Sequence, residues 1–300
     1  MITGALLRLL TESRIGGRIG LPKSNILYDN IFMLPQHFLL KLILTPLIVA
    51  VATLAARRWG ESIGGWLIGL PLTSAPVSVF FAIEQGRIFA AHAATGAVMG
   101  VVAVSVFCTA YSLGARETRW QQSALIAIAC YIPTIWIISQ LQLSLGWAEF
   151  LALAALCAAL LFMYKPGTAL NVTPQPAWDL PLRMLTATII LIAITTLASS
   201  LGPLWSGLLS PFPIFTFVMA IFSQSQSGAA SARRVVRGVV TGLFGYVVFF
   251  LVVGLLVTRL NLIVMYSLAT LSALSVNAGS LVIMLLRRHT LEAKDQANER

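Results

Sequence analysis

Long apolar runs alternate with short polar breaks along the chain, and the runs are the length of bilayer-crossing helices. They lie at 38–56, 63–84, 89–113, 122–140, 146–164, 182–200, 203–223, 235–257 and 260–287. Each is close to the ~20 residues that a helix rising 1.5 Å per residue needs to cross the hydrocarbon core. A membrane barrel would instead show alternating strands of about ten residues, and none appear. The pattern therefore predicts an all-α fold, a polytopic transmembrane helix bundle of nine spans. Ten is the alternative, because Asn277, Gly279 and Ser280 interrupt the last run. That run covers ~42 Å as a helix, enough for one tilted span and short for two plus a turn.

A diverged internal repeat underlies the pattern. Residues 42–113 can be laid on 183–255, with Gly69, Leu70, Ala82 and Ile83 meeting Gly207, Leu208, Ala220 and Ile221. After a small insertion Gly96, Val98, Gly100, Val106, Phe107 and Leu113 meet Gly238, Val240, Gly242, Val248, Phe249 and Leu255. Both copies carry a proline pair inside their second apolar run, Pro71 with Pro76 and Pro211 with Pro213. Paired interruptions of this kind are the sequence mark of transporter-like folds.

Charge adds direction. Arg57 and Arg58, Arg116 and Arg119, Lys165 and Arg183, and Arg233, Arg234 and Arg237 fall in or beside every second break. Cytoplasmic loops are enriched in Lys and Arg, so the first span is expected to run inward and the C-terminus, after Arg287 and Arg288, to lie inside. Copies five spans apart then enter the membrane in opposite directions, which predicts an inverted-topology repeat with proline-broken second and seventh helices.

Composition agrees with a membrane protein: 58% of residues are hydrophobic and 10% charged, against about 25% charged in soluble domains. The net charge of +10 does not point to nucleic acid, because the basic residues sit in ones, twos and threes between spans. Residues 33–289 are expected to form a single transmembrane domain. Residues 1–32, basic and glycine-interrupted, read as a disordered or interfacial extension, with Met33 as an alternative start, and 290–300 as a polar cytoplasmic tail. Cys108, Cys130 and Cys157 lie in apolar runs without metal-site spacing and read as small core residues.

The candidate chemistry centres on the two broken spans. A proline inside a helix removes a backbone hydrogen bond and frees carbonyls, which hydrocarbon cannot satisfy. Thr73, Ser74, Pro76 and Ser78 in the second span, with Ser210, Pro211, Pro213 and Thr216 in the seventh, are therefore the expected substrate-binding residues, meeting near mid-depth in one polar cavity. Glu84, Arg87 and His92 are candidates for coupling or gating near its outer mouth. For Glu84 an end-of-helix ion pair with Arg87 is the competing reading, and Glu149 is a weaker acidic candidate. Gly96 with Gly100, and Gly238 with Gly242, read as packing faces inside the repeat or, second, as a dimer face.

The HExxH pattern, a close carboxylate pair, a Cys or His cluster and a phosphate-cradling glycine loop are all missing from the sequence. No enzymatic activity, cofactor or metal is therefore expected. The segment from Gly64 to Gly86 and its partner at 203–225 resemble functionally unassigned bacterial multi-spanning membrane proteins. Their organisation is similar to that of drug/metabolite-type and other five-plus-five carriers. The resemblance implies a secondary transporter or exporter of a small or amphipathic solute, in a bacterial inner membrane, with lipids and the solute as its partners and a homodimer as an option. An intramembrane lipid-modifying or lipid-translocating protein and a non-transporting scaffold are the alternatives.

Overall fold

The computed structural model describes residues 36–115, 119–164, 176, 178–201 and 212–298. The chain divides into two units, Met1–Leu39 and Leu40–Arg300. Of the first, only the beginning of a helix falls among the described residues; all that follows concerns the second. The described residues form helices and short connections, with no strand among them.

In chain order the helices are α1 (Gln36–Trp59), α2 (Glu61–Ile68), α3 (Ser74–Glu84), α4 (Arg87–Gly114), α5 (Trp120–Ser139), α6 (Leu145–Phe162), α7 (Asp179–Leu201), α8 (Ile214–Ser227), α9 (Ala229–Leu256) and α10 (Leu262–Asn298). Seven of them, α1, α4, α5, α6, α7, α9 and α10, are long and apolar enough to cross a membrane. The run at 63–84 is divided between α2 and α3, each too short to cross alone. Of the run at 203–223, the helical part described is α8, from Ile214 onward. The last run is continuous: α10 passes through Asn277, Gly279 and Ser280 without interruption, so the break that a tenth span would need at those residues is not there. The helix also carries on to Asn298, through most of what the sequence marks as a polar tail.

Two 28-residue helices, α4 and α9, form the centre. Of their membrane-length apolar stretches, 56% in α4 and 50% in α9 is buried within the protein, against 22% in those of α7 (Asp179–Thr196) and α10 (Leu262–Ile283). Around this centre the outward surface is apolar, with Leu161, Ile263 and Ile88 all more than two-thirds exposed. Such a surface fits a lipid solvent and would be a liability in water. Van der Waals fit, more than expulsion of water, then has to hold the helices together.

Glycine supplies that fit between α2 and α9. A Cβ added at Gly65 would land on the Val235 carbonyl oxygen, and one at Gly69 on the backbone of Val239 and Gly242. From the other side, a Cβ at Gly238 would land on the Ser62 carbonyl and one at Gly242 on that of Trp66. Two Gly-x-x-x-Gly faces thus bring backbones together where any larger residue would collide. The α4 pair behaves differently, which corrects the sequence reading: nothing lies within 4 Å of a Cβ placed at Gly96. Its face is turned to a cavity, not to a helix.

Candidate functional site

Two interruptions of the helical backbone define the site. Ahead of Pro71, α2 tightens and ends, with Gly69 N–H bonded to the Trp66 carbonyl at 3.1 Å and Leu70 N–H to the Leu67 carbonyl at 3.2 Å. A residue preceding proline is pushed out of the helical region, which accounts for the stop at Leu70. Leu72 N–H then reaches back to the Leu70 carbonyl at 2.8 Å, and Ala75 N–H to the Pro71 carbonyl at 2.9 Å, where α3 begins. The second interruption repeats this geometry. Ile214 N–H bonds the Phe212 carbonyl at 2.9 Å, and Phe217 N–H the Pro213 carbonyl at 2.9 Å, where α8 begins. Each break is a three-residue turn centred on a proline and followed by a new helix. Pro76 lies in the first turn of α3, where a missing N–H costs little, so it kinks nothing.

Both breaks open onto one cavity of about 400 Å³. Of the expected residues, Thr73, Ser74, Ser78, Pro213 and Thr216 line it. Pro76 belongs to α3 but not to the lining, and Ser210 and Pro211 lie outside the described residues. Two hydroxyl pairs brace its lining serines: Tyr246 Oη, also in the lining, donates to Ser74 Oγ at 3.2 Å, and Ser78 Oγ lies 2.9 Å from the Oη of Tyr266, which is not part of the lining. Phe81, Phe212, Phe215 and Phe250 add aromatic surface to the lining, Phe250 packed against the Tyr246 ring at 4.7 Å. Phe212 is seated edge-on against Tyr131 and Phe217, with centroids 5.5 Å apart in each case, which fixes where α8 starts. None of the described lining residues is acidic or basic.

The three coupling or gating candidates do not join this lining. Glu84 is exposed at the end of α3, and Arg87 donates from Nη1 to the Leu260 carbonyl at 3.1 Å. His92 is exposed and lines a second cavity of about 550 Å³, formed with the α5–α6 connection around Gln142. Both cavities are lined by Gly96 and Gly100, so the glycine face of α4 is common to them. Glu149 is buried in α6.

A polar cluster that sequence reasoning missed joins the ends of five helices. Asp179 and Arg183, one turn apart at the head of α7, pair through Nε and Oδ1 at 2.7 Å with neither side chain exposed. Arg57 from α1 reaches Asp179 Oδ2 at 3.0 Å, and Gln226 from α8 donates to Oδ1. Arg183 Nη1 also reaches Met219 Sδ at 3.3 Å, and its guanidinium stacks on Phe222 at 5.3 Å. Glu61, half-buried at the head of α2 and ahead of the 63–84 span, accepts from Ser223 Oγ at 3.0 Å. Desolvation there pushes its carboxyl above the usual range, against the pull of Arg183, Ser223, Ser231 and Arg234. The available signal was an acid and a base at i,i+4 where the 182–200 run begins, with Arg183 read only as a marker of orientation. Among the described residues, no three His, Cys, Asp or Glu side chains are placed to hold a metal ion.

Compared with protein-family models, curated proteins and solved structures, the chain has no match. The functional reading rests on its own geometry.

Proposed function

We propose that this protein is a secondary transporter that moves an uncharged, partly apolar small solute by alternating access. The observation that carries the reading is the pair of proline-centred breaks facing one cavity, with Ser74 and Thr216 each three residues beyond its proline. Discontinuous helices in equivalent places of two repeats are how many carriers build a substrate site. A cavity of about 400 Å³ suits a small molecule. Its hydroxyls offer hydrogen bonds while its rings favour apolar surface, and the lack of a charged lining residue disfavours an ion.

The repeat itself draws support from backbone geometry. One constant separation relates Pro71 to Pro213, Ser74 to Thr216 and Gly96 to Gly238, and it carries the ends of α4, Arg87 and Gly114, onto those of α9, Ala229 and Leu256. It also relates Gly86 (φ 91°, ψ 165°) to Gly228 (φ 82°, ψ 176°), the residues that open α4 and α9. Only glycine adopts that conformation readily. This register moves the small insertion ahead of the prolines, so that Ala82 no longer falls on Ala220. An inverted relation is favoured because Glu61, at the start of one broken span, meets Ser223 near the end of the other. Likewise Arg87, at the start of α4, meets Leu260 just past the end of α9. With α2–α3 and the segment ending in α8 each counted as one broken span, the bundle has nine.

The site is tested by filling it. Gly96→Leu projects into open space and removes no hydrogen bond, so folded yield should hold while solute-dependent thermal stabilisation, screened over a panel of neutral metabolites, falls at least about tenfold in apparent affinity. Unchanged affinity in G96L would remove the cavity from the mechanism and leave a lipid-active protein or a scaffold as the better readings.

Orientation is tested separately. In a background without Cys108, Cys130 and Cys157, cysteines at Gln142 and Ser200 should react with an impermeant reagent added to intact cells, and those at Arg119 and Ser225 should not. Ser225 is the exposed probe at its end of α8, since a side chain at Gly228 would be strained at φ 82°. Labelling of Arg119→Cys or Ser225→Cys from outside would reverse the orientation.

A further inference from the structure

We propose that Glu61 is a proton-binding site whose occupancy controls opening of the cytoplasmic end of the bundle, an inference that rests on the transporter reading for its use in a cycle. The geometry supplies a small movable part. The eight-residue helix α2 is set off from α1 by Gly60, at φ 102°, and from α3 by the Pro71 turn. Its grip on α9 is the glycine contact, and its charged end is Glu61.

The charged groups facing Glu61 are Arg183 from α7 and Arg234 from α9; α8 presents the Ser223 hydroxyl, and Arg57 of α1 is engaged with Asp179. Arg183 is paired with Asp179 and within electrostatic reach of Glu61. Its Nε holds Asp179, while Nη2 is buried and has no hydrogen-bond partner among the described residues. An ionised Glu61 offers this cation a second anion and ties α2 to α7 and α9. A protonated Glu61 keeps only neutral hydrogen bonds, and Arg183 stays with Asp179. The same residues therefore have two charge arrangements, selected by one proton.

The position of the cluster makes that choice matter. Thr45 of α1, Leu191 of α7 and Thr216 of α8 wall the cavity, and the same helices are tied together where Arg57 and Gln226 meet Asp179, while Ser223 ties α8 to Glu61 of α2. Along α7 the distance from Leu191 to Asp179 is about 18 Å. Between the two levels lies a dry layer that includes Val49, Ala187 and Val218. For the cavity to open toward this end, that layer must part and the ties beneath it must loosen. Protonation loosens the tie that α2 makes.

The test uses the full-length protein in phosphatidylcholine–phosphatidylglycerol vesicles, without Cys108, Cys130 and Cys157 and with Ala187→Cys as reporter. Infrared difference spectra on acidification should show a carboxyl C=O band that is lost in E61Q and kept in E149Q. Alkylation of the reporter, normalised at each pH to denatured protein, should rise about fivefold or more on acidification and be high and independent of pH in E61Q. S223A, which keeps the carboxyl but removes a donor to its ionised form, should move the midpoint to higher pH and serves if E61Q does not fold. A band and a pH dependence that survive in E61Q, or a midpoint unmoved in S223A, overturn the proposal. Neither readout needs a solute. If both behave as expected while no solute binds, the proton site stands and the transporter reading falls; if G96L blocks solute while E61Q matches the native protein, the reverse holds.

Discussion

Replacing Asp179 by alanine should cost about 3–5 kcal/mol of stability, the penalty for leaving a buried charge without its partner. The Asp179–Arg183 pair has no exposed side-chain surface, and Arg183 would lose its one ion-pair contact, keeping a thioether, a ring and the more distant charge of Glu61. Arg57 and Gln226 would lose their shared acceptor at the same time, releasing α1 and α8 from α7. The pair also gains from its placement, with the acid in the first turn of α7 and the base one turn on, the order that the helix dipole favours. The double variant D179A/R183M removes both charges and keeps an apolar stem, so it should regain a large part of the loss. Thermal unfolding of the purified native protein and of the single and double variants, in one detergent, measures the coupling. A D179A variant as stable as the native chain would show that the network is not a structural tie.

Legibility in the sequence follows the range of the interactions. Period and length of apolar runs depend on residues near in sequence, so an all-helical bundle and the positions of its long helices can be read directly. The prolines mark the breaks for the same reason. Which hydroxyls face one another depends on how helices far apart in sequence pack, yet Thr73, Ser74, Ser78, Pro213 and Thr216 are all marked by their nearness to the prolines and do line one cavity, since a proline break is a local sign of where backbone turns toward a cavity. Tyr246, which adds a hydroxyl to the lining, and Tyr266, which pairs with Ser78, had no such marker: tyrosine in an apolar run reads as an ordinary aromatic. Asp179, Arg183 and Glu61 escaped for a different reason. Arg183, a basic residue at the edge of a span, reads as a mark of orientation, while Asp179 and Glu61 stand just outside the apolar runs in which an acidic residue draws notice. The glycines show the limit of motif reading, because identical spacing in α4 and α9 serves an open face in one and a sealed one in the other.

That contrast gives the sharpest structural test. Gly238→Ala should destabilise the protein by about 3 kcal/mol or more, at the upper end of the usual cost of overpacking, because the new methyl meets the Ser62 carbonyl and backbone cannot rotate aside as a side chain can. Gly65→Ala should match it from the opposite helix, where the Val235 carbonyl stands in the way. In α4, Gly96→Ala should be neutral or stabilising by up to about 1 kcal/mol, since alanine restricts the unfolded chain and meets nothing in the folded one. Helix propensity alone would make all three substitutions favourable, so the sign at Gly65 and Gly238 is set by packing. Comparing unfolding of the three variants in one detergent separates a sealed glycine interface from an open one. If G96A were as damaging as G238A, α4 would have to be packed against another helix along that face, and the glycine floor shared by the two cavities could not exist. If G238A were harmless, the close approach of α2 to α9 would be wrong, and with it the idea that α2 is a separate piece held in place by shape and by the charge at Glu61.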